Sequence, residues 1–256
     1  MRLPPVFRNW RLLAGAGAIF VTGYVWGHLA VTRDIFPYPQ IAAIRAAASG
    51  ETIDERPAYE RDPPLANVER ATLFAHHAKP ADLVIVGDSI LARVEWRDLL
   101  PQVEVANRAI AGDYAAWLPR RLEPIIETGA DEAFILIGIN DAVAGRSAQE
   151  IHGDIARTAA VLRRAGMGVT ILSPLPCGAT ATHCGEAAQT IRELNRLLAE
   201  NSDHGARYLD VRGTLAPQGA LLDRYSDDGV HLNLEGIEVI AGAIGAASQS
   251  PGPEAS

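Results

Sequence analysis

The stretch that most constrains the fold of this chain is Leu83–Ile90. Its first four residues, Leu83–Val86, are apolar and rich in β-branched side chains, which predicts a strand buried on both faces of a parallel sheet. The strand stops at the sequence Gly-Asp-Ser, whose last residue is Ser89. Because open α/β sheets bind ligands at the carboxyl ends of their strands, Ser89 is a candidate functional residue.

From residue 81 onward, predicted strands alternate with predicted helices, which is typical of parallel strands joined by right-handed helical crossovers. The predicted fold class is therefore α/β, a three-layer α/β/α sandwich of about five parallel strands. We expect the flavodoxin-like strand order 2-1-3-4-5. The predicted strands are Leu83–Val86, Val103–Ala106, Ala133–Ile137, Val169–Leu172 and Arg207–Val211, and the predicted helices are Ile90–Leu100, Tyr114–Thr128, Ala148–Ala165, Glu186–Asn201 and Leu234–Ala247.

The length and charge of the chain narrow its class. With 256 residues, it is long enough for one α/β domain with a full core plus an appendage. Its formal net charge of −8 argues against nucleic acid as a partner, because a phosphate-binding surface needs clustered Lys and Arg. Its two cysteines, Cys177 and Cys184, are too few for a disulfide framework or a zinc cluster that holds the fold.

The segment Leu12–Val31 has no acidic or basic residue apart from His28, and arginines precede it. About 20 such residues make roughly 30 Å of helix, which is one hydrocarbon thickness. We therefore expect residues 1–32 to be a cytoplasmic N-terminus with an uncleaved signal anchor, and the remaining chain to lie outside the cytoplasm, which is the periplasm if the source is a Gram-negative bacterium. A cleaved signal peptide and a buried core helix are the alternatives. The GxxxG pair formed by Gly23 and Gly27 would let two anchors pack as a homodimer.

The rest of the chain divides into three parts. Residues 33–80 are expected to be a connector, residues 81–248 the globular domain, and residues 249–256 a disordered tail rich in Ser, Pro and Gly. Within the connector, Glu51–Pro64 is charged and contains three prolines, which predicts an extended, solvated tether.

The connector also contains two predicted helices, Gln40–Ala48 and Asn67–His77. The adjacent histidines His76 and His77 suggest metal binding. Two neighbouring side chains on a helix point to different sides, however, so we expect them to be solvated.

A serine hydroxyl is a weak nucleophile at neutral pH, so it needs a base, a group that orients the base, and donors for the developing oxyanion. Ser89 is the candidate nucleophile, at a helix N-terminus where its own backbone N–H is free. His231 is the candidate base, oriented by Asp228 three residues earlier in the same loop. The alternatives are that Ser89 and Asp228 only cap helices, or that Asp227 takes the role of Asp228.

Two further residues are candidate oxyanion donors. Asn140 follows the third strand, which the proposed order places beside the first, so its amide should emerge close to Ser89. Gly112 follows the second strand on the other side, and a glycine lets the backbone N–H turn toward a ligand. Taken alone, both positions are also compatible with simple turns.

Together, these stretches resemble the four sequence blocks of the SGNH/GDSL hydrolase family, over about residues 81–248. The resemblance implies that Ser89 is the nucleophile and that Asp228 and His231 complete a catalytic triad. It also implies an oxyanion hole made by the Ser89 N–H, the Gly112 N–H and the Asn140 side chain. The matching blocks are Gly87-Asp88-Ser89-Ile90, Asn107-Arg108-Ala109-Ile110-Ala111-Gly112, Gly138-Ile139-Asn140-Asp141 and Asp228-Gly229-Val230-His231-Leu232-Asn233.

The sequence departs from the family pattern in two blocks. Ile90 stands where leucine is usual, and Ala109 and Ala111 stand where a glycine and a small polar residue are more usual. None of these departures removes a catalytic group.

The resemblance implies a serine ester hydrolase, of the esterase and lipase class, that forms a covalent acyl-serine intermediate and needs no metal or organic cofactor. Small acyl esters, lysophospholipids and acetylated glycans are the implied substrates, and a location outside the cytoplasm favours an acyl group, such as acetyl, on an envelope lipid or glycan. Two alternatives stay open: an acyltransferase that passes the acyl group to a polysaccharide with the same triad, and a non-catalytic envelope binding module.

Cys177 and Cys184 lie in the loop after the fourth predicted strand. Outside the cytoplasm we expect them to form a disulfide that closes this short loop. His183 beside them suggests a zinc site, but one histidine and two cysteines are too few ligands for a closed one. Three aromatic residues near the predicted catalytic loops are expected to line the substrate cleft or to be ordinary core or surface residues: Tyr114, Trp117 and Tyr225.

Overall fold

The computed structural model describes residues 54, 56–200 and 205–249. The chain divides after Glu55 into two compact units, and the fold described here is that of the second unit, Arg56–Ser256. The expected membrane anchor, the expected helix Gln40–Ala48 and most of the expected tail lie outside the described residues. None of the helices in the described part of the chain has the length and apolarity needed to cross a lipid bilayer.

The second unit contains one sheet of five parallel strands, with helices on both sides of it. The strand order is β2-β1-β3-β4-β5, so the predicted α/β class and the flavodoxin-like order are confirmed. The strands begin and end within three residues of the predicted positions. They are β1 (Leu83–Gly87), β2 (Val105–Asn107), β3 (Glu132–Leu136), β4 (Gly168–Leu172) and β5 (Arg207–Leu209).

Strand β1 is the buried centre of this sheet. All five of its residues are buried, as its continuous apolar sequence predicts for a strand covered on both faces. It lies between β2 and β3, with Ile85 opposite Asn107 and Gly87 opposite Leu136. The chain that leaves β1 therefore emerges between the ends of β2 and β3, which lead into the second and third sequence blocks.

The long helices have sequence features that explain where they begin. Ser147 caps the longest one through a capping box, in which its hydroxyl accepts from the Glu150 N–H and the Glu150 carboxylate accepts from the Ser147 N–H. Asn233 caps the last helix by accepting from the Gly236 N–H. The helices are α1 (Leu65–His76), α2 (Ser89–Ala92), α3 (Trp96–Leu99), α4 (Glu123–Ile126), α5 (Ile139–Val143), α6 (Ala148–Arg164), α7 (Ala187–Glu200), α8 (Arg212–Leu215) and α9 (Leu234–Ser248).

Two predicted helices are each replaced by two short ones. The predicted helix Ile90–Leu100 is interrupted between α2 and α3, where the Asn107 side-chain amide donates to the carbonyls of Leu91 and Val94 at 3.1 and 3.2 Å. This amide, from a neighbouring strand, satisfies carbonyls that a continuous helix would have used itself.

The predicted helix Tyr114–Thr128 is a 3₁₀ helix, Ala115–Arg121, followed by α4. Pro119 lies inside the 3₁₀ helix and Pro124 in the first turn of α4. Proline has no backbone N–H to donate, so a continuous α-helix would be interrupted at both positions.

The described part of the expected tether, residues 56–64, is exposed at most positions, as expected, but it is attached to the domain at a short turn instead of being extended throughout. Ala58–Glu60 form a 3₁₀ turn, and the Tyr59 carbonyl accepts a 3.1 Å hydrogen bond from the indole N–H of buried Trp117. The expected helix Asn67–His77 is present as α1, which buries Phe74 against the domain. Aromatic side chains and a backbone carbonyl thus hold this segment in place, which its charge and proline content did not indicate.

The last residue of β1, Gly87, has no space for a side chain, because a Cβ there would collide with the carbonyl oxygen of Leu136. We expect Gly87→Ala to lower the free energy of unfolding by about 2 kcal/mol or more, measured by urea denaturation. Gly242→Ala is the matched control, since this residue lies in α9 with open space around it. It should raise the free energy of unfolding by up to about 1 kcal/mol. Equal stability of the two variants would contradict the packing described here.

Candidate active site

Ser89 lies at the first position of α2, directly after β1. Asp88 caps this helix by accepting the Ile90 N–H at 3.0 Å, which turns the chain sharply at the edge of the sheet. The first N–H groups of a helix have no partner within it, so the Ser89 N–H is available to a ligand. The Ser89 Oγ lies 2.9 Å from His231 Nε2, which is hydrogen-bond distance.

The loop Asp228–His231 places an aspartate and a histidine in one turn. The Asp228 Oδ2 lies 2.6 Å from His231 Nδ1, while its Oδ1 accepts the backbone N–H groups of Val230 and His231 at 2.8 and 2.7 Å. Gly229 lies between them with φ of +79°, a conformation that glycine adopts without steric cost. It is Asp228, and not the neighbouring Asp227, that bonds the imidazole.

The charge state of Asp228 follows from these contacts. Burial would raise its pKa, but the hydrogen bonds from the His231 ring and from the two backbone N–H groups outweigh burial and lower the pKa to about 2. The carboxylate is therefore ionised at neutral pH. It fixes the Nδ1–H tautomer of His231, which leaves Nε2 to accept a proton from Ser89.

Gly112 and Asn140 lie in loops that follow the strands on either side of β1. Gly112, with φ of +74°, is the third residue of a turn closed by a 3.2 Å hydrogen bond from the Asp113 N–H to the Ile110 carbonyl, which leaves the Gly112 N–H outside that bond. The Asn140 side-chain amide donates to the Asp113 carbonyl at 2.9 Å, which joins the second block to the third. Because the Ile110 N–H donates to the Gly87 carbonyl at 2.9 Å, both blocks are tied to the residues just before Ser89.

Buried ion pairs beneath these loops were not predicted from the sequence. Arg121 is buried and donates to Asp113 through Nε at 2.7 Å and to the Arg108 carbonyl through Nη1 at 2.7 Å. Asp141 is fully buried and accepts from the Ala115 N–H at 2.9 Å. The only sequence signal for these pairs is that acids stand next to Gly112 and Asn140, because a spacing of five to eight residues outside a continuous helix does not show which arginine an acid will meet.

Arg146 extends this network. Its guanidinium lies 2.6 Å from Asp141 on one side and 2.6 Å from Asp154 on the other, and all three side chains are buried. It therefore joins α5, which carries Asn140, to α6.

A cleft of about 370 Å³ opens beside Ser89 and His231. Charged side chains line part of it, namely Arg93, Glu95 and Asp98. Leu234 also lines it with 67% of its surface exposed, so an apolar surface is available to a ligand. The apolar lining residues are Ile90, Val94, Leu99, Leu232, Leu234 and Ile237.

The three aromatic residues proposed for the cleft are not among its lining residues. Trp117 is buried and packs edge-on against Tyr114, with 4.7 Å between ring centroids. Tyr225 packs partly buried against the core, and its carbonyl accepts the Asn233 N–H at 2.9 Å. Tyr114 and Trp117 therefore belong to the packing that follows the second block, and the Tyr225 backbone holds the loop before α9.

Cys177 and Cys184 form a disulfide, as expected. The two sulfur atoms are bonded to each other, so neither is available as a thiolate ligand for zinc. In the described part of the chain, no three His, Cys, Asp or Glu side chains cluster so that they could hold a metal ion.

Comparison with known proteins assigns the family. The model of the GDSL-like lipase/acylhydrolase family matches residues 85–239, which include every block described above. The chain belongs to this family. Its class of activity is the hydrolysis of carboxylic esters. No curated protein sequence matches the chain.

Solved structures share the fold. A Streptococcus pneumonia protein assigned as a platelet activating factor is 21% identical, with a TM-score of 0.66 over 72% of this chain and 92% of its own. A GDSL-like lipase from Bacteroides thetaiotaomicron is 24% identical, with a TM-score of 0.62 over 72% of this chain and 97% of its own. The acetyl xylan esterase AlAXEase is 21% identical, with a TM-score of 0.52 over 64% of this chain and 98% of its own.

Asp88, under the nucleophile turn, is fully buried, and its Oδ2 has no hydrogen-bond partner in the described structure. Burial raises its pKa from 3.8 to about 7; the Ile90 N–H opposes this shift, and Asp113 and Asp141 add to it. The folded state therefore holds this proton more tightly than the unfolded state. The free energy of unfolding should then fall as pH rises from about 4 to 7, and level off above that range.

We expect Asp88→Asn to remove this pH dependence, because the amide keeps an acceptor for the Ile90 N–H and does not titrate. Between pH 5 and pH 8, the stability of the native protein should fall relative to the variant by roughly 1–3 kcal/mol, measured by urea denaturation. Asp131→Asn, at an exposed carboxylate, serves as the control. A stability difference that stays constant with pH would show that Asp88 does not titrate in this range.

Proposed function

We propose that this esterase cleaves its substrate through a covalent acyl-serine intermediate on Ser89. The observation that carries the proposal is the pair of hydrogen bonds in series, 2.9 Å from Ser89 Oγ to His231 Nε2 and 2.6 Å from His231 Nδ1 to Asp228. His231 takes the hydroxyl proton as Ser89 attacks the ester carbonyl, and the Asp228 carboxylate stabilises the imidazolium that forms. Water then releases the acyl group, with His231 as the base again.

The oxyanion formed in this attack needs hydrogen-bond donors. We assign the N–H of Ser89, the N–H of Gly112 and the second N–H of the Asn140 amide to this role. The first Asn140 N–H is used by the Asp113 carbonyl, which fixes the orientation of the amide before substrate binds. Preorganised donors of this kind cost little reorganisation during the reaction.

The cleft beside His231 suits the alcohol part of the ester. His231 has to protonate the leaving oxygen, so the leaving group must lie on the side of Ser89 where His231 is. The cleft is on that side, because His231 and the next three residues line it, whereas Gly112 and Asn140 do not. Its apolar lining favours an alcohol with an apolar part.

We propose small acyl groups, including acetyl, carried by an envelope lipid or glycan as the substrate class. The structural similarity to an acetyl xylan esterase is one reason to test acetylated glycans. The apolar side chains of the cleft are a reason to test lipid esters beside them.

We also propose that the protein is membrane-anchored with its catalytic domain outside the cytoplasm. The uncharged segment Leu12–Val31 supports the anchor, and the disulfide supports an oxidising compartment. Sequencing the N-terminus of the mature protein tests this: an intact N-terminus in the membrane fraction is expected. A chain that begins near residue 31 would show that the segment is cleaved instead.

The decisive experiment compares the native protein with Ser89→Ala and Asn140→Ala on p-nitrophenyl acetate. Ser89→Ala should abolish hydrolysis and the acyl-enzyme burst, because no other hydroxyl is bonded to His231 in the described structure. Asn140→Ala should lower kcat by about 10²–10³-fold with a smaller change in KM, because its donor acts mainly in the transition state.

Equal rates for the native protein and Ser89→Ala would overturn the proposed mechanism. An unchanged kcat in Asn140→Ala would overturn only the oxyanion assignment. Product analysis with an acetylated donor and a glycan acceptor separates hydrolysis from acyl transfer.

A further inference from the structure

The disulfide Cys177–Cys184 closes a loop of the chain that lies directly against the catalytic loop. We call residues 177–184 the closed loop and residues 228–231 the catalytic loop. Both cysteines are buried, at 8% and 6% exposure, so the disulfide belongs to the interior of the domain. The closed loop follows the carboxyl end of β4, on the same edge of the sheet as Ser89.

The two loops share a backbone hydrogen bond. The N–H of Gly178, next to Cys177, donates to the carbonyl of Gly229 at 2.7 Å. Gly229 is the residue between Asp228 and the rest of the catalytic loop, so this bond holds the middle of the turn that carries the acid and the base.

The two loops also pack so closely that neither Gly178 nor Gly229 has space for a Cβ atom. A Cβ at Gly229 would lie 2.6 Å from the Thr180 hydroxyl oxygen and 2.8 Å from the Ala181 nitrogen. A Cβ at Gly178 would lie 2.8 Å from the Leu221 carbonyl oxygen and 3.2 Å from the Gly229 Cα. Three residues of the closed loop therefore contact Gly229, namely Gly178, Thr180 and Ala181.

Hydrogen bonds within the catalytic loop join its acid, its backbone and its histidine. The Asp228 carboxylate accepts the backbone N–H groups of Val230 and His231 as well as the His231 ring, so these residues are bonded to one another. The Asp228 side chain is 56% exposed, so solvent lies on one side of this turn. The closed loop packs against the side of this turn that faces away from solvent, and it holds the turn in place there.

We propose that the Cys177–Cys184 disulfide is a positioning element of the ester-hydrolysis site. This proposal rests on the function proposed above. The disulfide holds Gly178, Thr180 and Ala181 against Gly229, and thereby holds His231 at hydrogen-bond distance from Ser89. Cys177 and Cys184 touch no reacting atom and act through the Asp228–His231 turn.

The test removes the disulfide in the otherwise complete protein with Cys177→Ser/Cys184→Ser. We expect kcat for p-nitrophenyl acetate to fall about tenfold to 100-fold, because small displacements of a catalytic group carry penalties of this size. KM should change less than threefold, since the cleft is lined by residues outside the closed loop.

A double-mutant cycle with Asp228→Ala separates positioning from general stabilisation. If the disulfide acts through the Asp228–His231 turn, its removal in the Asp228→Ala background should lower kcat by less than about twofold. Ile155→Val, at a fully buried position of α6, is the control for lost stability and should leave kcat unchanged when assayed well below its Tm.

If the double serine variant does not fold, Gly178→Ala replaces it, because this variant keeps the disulfide and places a Cβ against Gly229. Gly178→Ala should lower kcat about as much as removal of the disulfide does. In the Asp228→Ala background it should lower kcat by less than about twofold. Ala179→Ser, at an exposed residue of the same loop, should behave like the native protein.

The proposal is overturned if the folded double serine variant, or Gly178→Ala in its place, keeps the native kcat. It is also overturned if the loss of kcat is the same with and without Asp228, which would assign the disulfide to stability alone. Activity that survives Ser89→Ala would instead overturn the proposed function, so the two failures are distinct.

Discussion

The hydrogen bond between Ser89 Oγ and His231 Nε2 is the contact on which the site depends, because it joins two segments that are 142 residues apart in the sequence. Ser89 and His231 are held in place by different parts of the structure. Ser89 is fixed by β1, the buried central strand, and by the sharp turn at Asp88. His231 is fixed by a carboxylate that bonds its ring and its backbone together. The geometry of the site is therefore set by the sheet at one end and by a four-residue turn at the other.

Buried ion pairs hold in place the loops that contain Gly112 and Asn140, on the opposite side of Ser89. Asp113 pairs with Arg121, and Arg146 lies between Asp141 and Asp154, all within the protein interior. Desolvating such pairs costs about as much free energy as their attraction returns, so their presence is weak evidence for stability. Their placement next to Gly112 and Asn140 is better explained by orientation. Each pair fixes a loop that contains a proposed oxyanion donor, the Gly112 N–H or the Asn140 amide.

Much of this structure could be predicted from the sequence because its signals are local. The apolar run before Ser89 and the alternation of strands with helices indicate the α/β class, whereas the sheet order is an expectation taken from doubly wound folds, which the structure confirms. Ser89 and Asn140 can be found as candidates because each follows the end of a strand, and His231 because an aspartate stands three residues before it in the loop that leads to the last helix. The structure brings Ser89 and His231 into contact, and the family assignment agrees with the blocks that carry them.

What could not be predicted depends on contacts between distant parts of the chain. The interruption between α2 and α3 is satisfied by the Asn107 side chain, which comes from the next strand. The packing of Tyr59 depends on an indole N–H almost sixty residues away. The acids that pair with Arg121 and Arg146 are only five to eight residues away, but they lie in other elements, and residue spacing alone does not show which acid each arginine will meet.

The distance in sequence between Ser89, the proposed nucleophile, and His231, the proposed base, has a consequence for biosynthesis. Ser89 leaves the ribosome with the first strand of the sheet, whereas His231 lies directly before α9, the last helix of the described chain. Until that helix docks, the serine has no base and remains an ordinary alcohol. In the proposed mechanism, a nascent or truncated chain that lacks this helix does not hydrolyse the esters around it, and hydrolysis begins only when the fold is complete.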